Sequence, residues 1–320
     1  MRRMPIASLA MLAAMLVAIA SDPATAQDKL KLAIGQRGNW DTAVPELGTR
    51  AGLFTKHGLE LELLYTKGGG ETQQAVIARS ADIGLAAGTL GVMGAYSKGA
   101  PVRIIGAQAT GAADFWYVRA DSPIKAPADL AGKSMAYSTN GSSTHSMVLG
   151  FIETYKIAAK PTATGDPAGT FTSVMSRQID AGWSSPPFGF DAIADNKIRI
   201  IWRGNELEQV RNQTVRTIIA NAEELKARAS VFARFIAAYR ETVDYMYAGD
   251  QALTDYADFA KTSLANARLV RTDFFAKAMI DPLEFKGTAE LVVNAVKFKY
   301  TTERLTDAQL KELIQIPGAK

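Results

Sequence analysis

The 320-residue chain carries 36 lysines and arginines against 32 aspartates and glutamates, a formal charge of +4, and is 48% hydrophobic with no cysteine. That size and apolar content fit one large or two medium globular domains. The small charge, with no basic run or basic–aromatic interleaving, argues against a nucleic-acid partner; the missing cysteines exclude disulfides, thiol catalysis, cysteine metal sites and a cysteine-borne lipid anchor.

Arg2 and Arg3 precede an apolar run from Ile6 to Ala20, and Ala24-Thr25-Ala26 follows with small residues at signal-peptidase spacing. Residues 1–26 read as a secretory signal peptide cleaved after Ala26. An uncleaved anchor is the alternative, but the run is shorter than the roughly 20 residues of a membrane span. With two arginines and Asp22 removed, the charge falls from +4 to +3.

From Lys29 onward, short β-like runs alternate with helical patterns, which predicts an α/β fold. "KLKLAIG" (29–35), "ELELLY" (60–65), "ADIGLAA" and "VRIIGAQ" read as strands, and Thr72–Ser80 and Leu90–Lys98 as helices. "GGGE" (68–71) reads as a flexible turn: it lacks the Lys-Ser/Thr of a P-loop and the spacing of a dinucleotide fingerprint. In "AAGTLGVM" a strand runs into a helix through Gly88 and Thr89, either a tight capped turn or a helix start open to a ligand.

A second α/β block starts at "FWYVR" (115–119) and continues through a turn, a short helix and the strand "KSMAYS". Thr144–Tyr155 is helical, with Met147, Val148, Phe151 and Ile152 on one stripe. The polar knot before it, Asn140-Gly141-Ser142-Ser143-Thr144, combines a helix start, a glycine and several hydroxyls. That pattern suits an anion cradle, although a single hydroxyl suffices for an N-cap and the cap alone would explain one of them. "IDAGW" and "KIRIIW" read as strands flanking a helix near Asp191, and "TVRTIIAN" is a β-branched run.

Asn221 with Glu224 starts a long helix expected to run to about Ala248, with Val231, Phe235, Ala238, Tyr239 and Tyr245 facing inward; Thr306 with Gln309 repeats the capping pattern. "FWYVR" and "TVRTIIA" would be two strands crossing between lobes, leaving a cleft of the kind that ligands favour. Trp40, Trp116 and Trp183 fall at or next to strand ends, where core and ligand wall are both open readings.

"GLFTKHGLELEL", "ARSADIGLAAG", "GAPVRIIGA", "PADLAGKSMAYS", "GSSTH" and "RQIDAGWSSPPF" occur in this order. Together they resemble the periplasmic substrate-binding proteins of ABC importers in the nitrate, aliphatic sulfonate and taurine group, to which the thiamine-pyrimidine synthases are similar. The resemblance implies a type II periplasmic binding protein fold. Two α/β lobes are joined by a two-strand hinge: lobe 1 from 27–114 and 215–320, with the helical tail packed on it, and lobe 2 from 115–214. It also implies a periplasmic protein, expected to be a monomer, that closes on a small molecule and docks on an inner-membrane permease, with no cofactor and no metal.

By position, the binding residues would be Gln36, Asn39, Trp40, Gly88, Thr89, Asn140, Ser142, Ser143, Thr144, Trp183 and Ser184. The family loop after "IDA" often carries acidic or aromatic residues, whereas here it is "GWSSPPF". The synthases' cysteine-rich motif is absent, which disfavours their activity. The expected ligand is a small organic anion, a sulfonate or carboxylate; a neutral or aromatic heterocycle such as a thiamine precursor is the alternative. A receptor without transport and a secreted serine hydrolase using Ser142 and His145 are the rivals from other classes.

Overall fold

The structure, a computed structural model, describes residues 27–318, so the expected signal peptide lies outside the described residues. Its strands are β1 (Asp28–Gly35), β2 (Leu59–Thr66), β3 (Ile83–Gly88), β4 (Val102–Thr110), β5 (Phe115–Arg119), β6 (Ser134–Tyr137), β7 (Lys160–Ala163), β8 (Gly182–Ser184), β9 (Ile198–Arg203) and β10 (Thr214–Asn221). One sheet has the order β2-β1-β3-β10-β4, parallel except for β10. Register at its edge places Lys29 across from Glu60 and Lys31 across from Glu62, with ion pairs of 3.5 and 3.6 Å. Opposite charges directly across a ladder favour this register, modestly because they are exposed.

The second lobe repeats that plan. β8-β5-β9 form an antiparallel sheet and β6-β7 a parallel pair. Ala136 N–H donates to the Ala181 carbonyl (2.8 Å) and Ala181 N–H to that of Ser134 (3.0 Å), which joins the pieces as β7-β6-β8-β5-β9. Each lobe thus has an antiparallel strand inserted beside its third parallel strand. A threonine pair recurs at the same place in both, Thr66 Oγ1 to Thr72 Oγ1 at 2.8 Å and Thr164 Oγ1 to Thr170 Oγ1 at 2.6 Å. The sequence shows no repeat because topology and a few contacts, not residue identities, are shared.

β5 and β10 each lie wholly within one sheet; they do not themselves cross between lobes. The crossings are the segments 111–114 and 204–213, held side by side by Gly111 N–H on the Gln213 carbonyl and Gly204 N–H on that of Asp114, both 2.9 Å. The helical tail packs on the first sheet. Phe232, Phe235, Ile236, Tyr239, Val243 and Met246 of the helix Ala229–Ala248 are buried at 3.6-residue spacing against Leu32, Ile34 and Ile105.

The single long helix expected after Asn221 is broken. Asn221 caps Ala222–Ala227, and Arg228 leaves helical geometry before the second helix. Its guanidinium reaches Asp82 (2.8 Å) and the Lys29 carbonyl (2.8 Å), tying the break to the sheet. Tyr245, expected inward, is only part-buried and donates to Asp255 (3.1 Å). The capping box at Thr306 and Gln309 forms as expected.

Candidate functional site

The loops at the carboxyl ends of the strands meet between the lobes, where open α/β sheets place their ligands. After β1 the chain turns through Gln36, a non-glycine residue at φ 72° whose carbonyl accepts from Thr42 Oγ1 (3.0 Å) and whose Oε1 accepts from Asn39 Nδ2 (3.2 Å). Across the cleft, Asp166 caps the helix Pro167–Met175 by accepting from Gly169 N–H (2.8 Å).

Two neighbouring cavities open in this cleft. The first, about 420 Å³, is lined from the first lobe by Gln36, Arg37, Tyr65 and Lys67 and from the second by Asp166 and Phe188, with Lys261 at its edge. The second, about 380 Å³, lies against Tyr117, Phe171, Ser184, Pro187, Phe188 and Ala192. They share Pro167, Ala168, Phe188, Ala260 and Lys261 as a common wall. A groove of about 1120 Å³ near Leu225, Phe285 and Ile316 is walled by the first lobe alone and takes no cleft loop.

Arg37 is held by cation–π contact with Phe259 (4.3 Å) and a hydrogen bond to the Phe259 carbonyl (3.2 Å). Among the described residues, neither Arg37 nor Lys67 has an ion-pair partner. Arg37, Lys67 and Lys261 outnumber the one acid, Asp166, around this cavity, so its local field favours an anion.

Deeper in, the lobes touch. Gly88 and Gly91 pack on the backbone of Gly141–Ser143: a Cβ on Gly88 would lie 2.5 Å from Ser142 C and 2.6 Å from Ser143 N. Gly70 N–H donates to Thr139 Oγ1 (3.0 Å) across the same seam, so the glycines first read as a flexible turn are a contact surface. Behind the seam Arg216 of β10 bonds Asp41 Oδ2 (2.8 Å), both Asp114 oxygens (2.6 and 2.5 Å) and Ser143 Oγ (3.1 Å). Its side chain is 4% exposed and both carboxylates 0%, so the group is sealed from water. Burial drives the Asp114 carboxyl above its ordinary pKa, with Arg216 opposing and Asp41 reinforcing that shift.

The hydroxyl knot is largely satisfied from within. Ser142 is the N-cap, its Oγ accepting from His145 N–H (3.2 Å). Thr144 Oγ1 accepts from Ser138 N–H (2.9 Å) and meets Ser142 Oγ (3.0 Å), and Ser143 serves Arg216. Ser142→Ala is therefore expected to lower stability by about 1 kcal/mol with ligand affinity unchanged, checked by denaturant melts beside binding titrations. A loss of affinity at equal stability would contradict the cap role.

His145 sits where the tail meets the second lobe. Its ring stacks on Tyr137 (centroids 4.3 Å apart), and Nδ1 accepts from Tyr300 Oη (3.1 Å) and Gly141 N–H (3.4 Å). Burial holds its pKa below the ordinary value, and both donors need Nδ1 unprotonated. The stability it contributes is complete above about pH 6.5 and is lost as pH falls through the lower folded-state value. The native protein should lose more melting temperature between neutral and mildly acidic pH than His145→Gln; parallel curves would refute this.

The two expected aromatic walls lie elsewhere. Trp40 is fully buried in the first lobe, edge-on to Tyr247 and Tyr256, with Nε1–H donating to Tyr247 Oη (3.0 Å). Trp183 is fully buried in the second, cross-strand from Trp116. Of the other expected residues, Gln36 and Ser184 line the cavities. Asn39 is buried beside Gln36, and Thr89 Oγ1 donates to the Thr214 carbonyl (2.5 Å). Asn140 is exposed and accepts from Tyr137 Oη (2.6 Å).

Sequence reasoning passed over Arg37, Lys67, Phe188 and Lys261, and the whole segment from β7 to the helix Pro167–Met175. The signal for that helix was present: Asp166-Pro167 is an N-cap residue followed by proline at N1. Among the described residues no metal-ligating cluster occurs and no helix is long and apolar enough to cross a membrane.

Residues 47–252 match a family model described as NMT1/THI5 like. No curated protein sequence matches the chain. Among solved structures it is similar to the alkanesulfonate-binding protein SsuA from Xanthomonas axonopodis pv. citri bound to MOPS, with TM-score 0.73 and 16% identity over 91% of this chain and 99% of that one. The periplasmic nitrate-binding protein NrtA from Synechocystis PCC 6803 aligns with TM-score 0.70 and 13% identity over 90% and 86%. The desulfurization enzyme DSZB aligns with TM-score 0.61 and 14% identity over 90% and 99%. At such identities the likeness shows the fold, the two-lobed periplasmic binding protein architecture, which carries solute binders and an enzyme alike.

Proposed function

The chain belongs to the NMT1/THI5-like family, and we propose that it is the periplasmic solute-binding component of an ABC import system, without catalytic activity of its own. It captures a small organic anion, a sulfonate or carboxylate, between its lobes and delivers it to a membrane permease. The observation that carries this reading is the cavity walled by both lobes, with Arg37 and Lys67 facing it unpaired. A ligand held there contacts both lobes only when they are together, so it favours the closed form by its differential contacts.

The arrangement of Ser142 and His145 supports a binding role over hydrolysis. The serine oxygen bonds the histidine backbone, while the ring nitrogen is engaged by Tyr300 and Gly141, so no nucleophile–base pair forms. A second reading, a neutral or aromatic heterocycle such as a thiamine precursor, is supported by the aromatic side chains Tyr65, Tyr117, Phe171 and Phe188 that line the two cavities and suit a flat ring.

Titration with alkanesulfonates, carboxylates and an aminopyrimidine separates these readings. Tight binding of an anion, weakened about tenfold or more in Arg37→Ala/Lys67→Ala, supports the first. Equal anion binding by that variant, or preference for the pyrimidine, would overturn it. Loss of uptake of the bound solute in a strain lacking the protein tests the transport role.

A further inference from the structure

We propose that the solute carries an aromatic or similarly bulky apolar arm, which lodges in the second cavity while its anionic end faces Arg37 and Lys67; this rests on the anion reading above. The two cavities differ in character. The Arg37 cavity is rimmed by charge, whereas the second is walled by Tyr117, Phe171, Pro187, Phe188 and Ala192. Tyr117, 1% exposed, is part of that lining. The cavities are direct neighbours, with Pro167, Ala168, Phe188, Ala260 and Lys261 lining both, so one solute that reaches past these residues contacts both.

Each part lies within or near the size of a small-molecule site, about 300–1,000 Å³, so together they exceed what a bare inorganic anion or a one-carbon sulfonate fills. Only a molecule with a polar head and an apolar body matches both halves, because apolar lining gains by losing water and a charged group placed there would lose its hydration. Asp191 and Lys261 are the charged residues lining this second cavity; of opposite sign, they give no reason for a second anionic group.

The test is calorimetric titration of the full mature chain with methanesulfonate, acetate, benzenesulfonate, benzoate and the neutral benzyl alcohol. The expected result is aryl anions binding at least about tenfold tighter than their methyl counterparts. Ala192→Trp, which fills the second cavity at a part-exposed position, should erase that preference and leave methanesulfonate binding unchanged. Phe171→Ala should reduce the preference without blocking the space. Equal affinity for methyl and aryl anions, or an aryl preference untouched by Ala192→Trp, overturns the proposal while leaving the anion reading intact. Benzyl alcohol binding as tightly as benzoate, or no anion binding at all, overturns the anion reading and with it the proposal.

Discussion

Arg216→Ala is expected to lower the unfolding free energy by about 3–5 kcal/mol, the cost of breaking a buried ion pair by removing one partner. The guanidinium answers two carboxylates that are fully out of water, and it is the group that links β10, the loop after β1, the crossing segment and the helix of the second lobe. Without it, Asp41 and Asp114 face each other uncompensated, and a buried carboxylate without a counter-charge is costly. Burial already drives the Asp114 carboxyl upward, and losing Arg216, which opposes that shift, drives it further, so the variant's folded state binds more protons than its unfolded state and its stability declines as pH rises. The deficit measured in urea should therefore shrink as pH is lowered, the reverse of the His145 trend. Arg216→Lys should recover only part of the loss, because one ammonium cannot meet two carboxylates and a hydroxyl in a fixed fork. Replacing all three charged residues with apolar ones of similar volume should restore more stability than either single change. A pH-independent deficit in Arg216→Ala would show that the carboxylates escape to water and that the triad is not sealed.

Gly91→Ala is expected to separate stability from function. Gly91 lies within the helix Thr89–Ser97, where alanine is favoured over glycine by about 1 kcal/mol. Its Cβ, however, would lie 2.8 Å from Gly141 C and 2.9 Å from Gly141 Cα, across the interlobe seam. Both neighbours are backbone, so no rotamer change relieves the overlap. The unliganded open protein should keep or gain melting temperature, while closure is obstructed and ligand affinity falls at least about tenfold. Small-angle scattering with ligand should show a larger radius of gyration than for the native chain. Native affinity and compaction in this variant would mean that the seam opens without cost and does not belong to the closed state.

The alternation of strands and helices, the capping residues Asn221 and Thr306 and the apolar stripe of Ala229–Ala248 were legible because each depends on neighbours within about one helical turn or one strand, whereas Ser142, expected at the ligand, is the N-cap. The break at Arg228 was not legible, since its cause is Asp82, far off in the chain. Trp40 and Trp183 carried no local sign of their fate: a tryptophan at a strand end packs inward or lines a cleft according to what the other elements bring to it. Arg216 did carry a sign. A charge within "TVRTIIAN", a run apolar enough to be buried on both faces, requires a partner, though not which one.

Residue order alone determined the α/β class, most of the elements and the caps at Asn221 and Thr306, and through ordered motifs the family, because hydrogen-bonding periodicity is local. Only the tertiary structure decided which polar groups face the interlobe cavities. Ser143 lies 73 residues from Arg216 yet is spent on it, and among the described residues Arg37 has no ion-pair partner, although Asp166 lines the same cavity. Partnership between distant charges is a property of lobe packing, and no spacing in the chain encodes it.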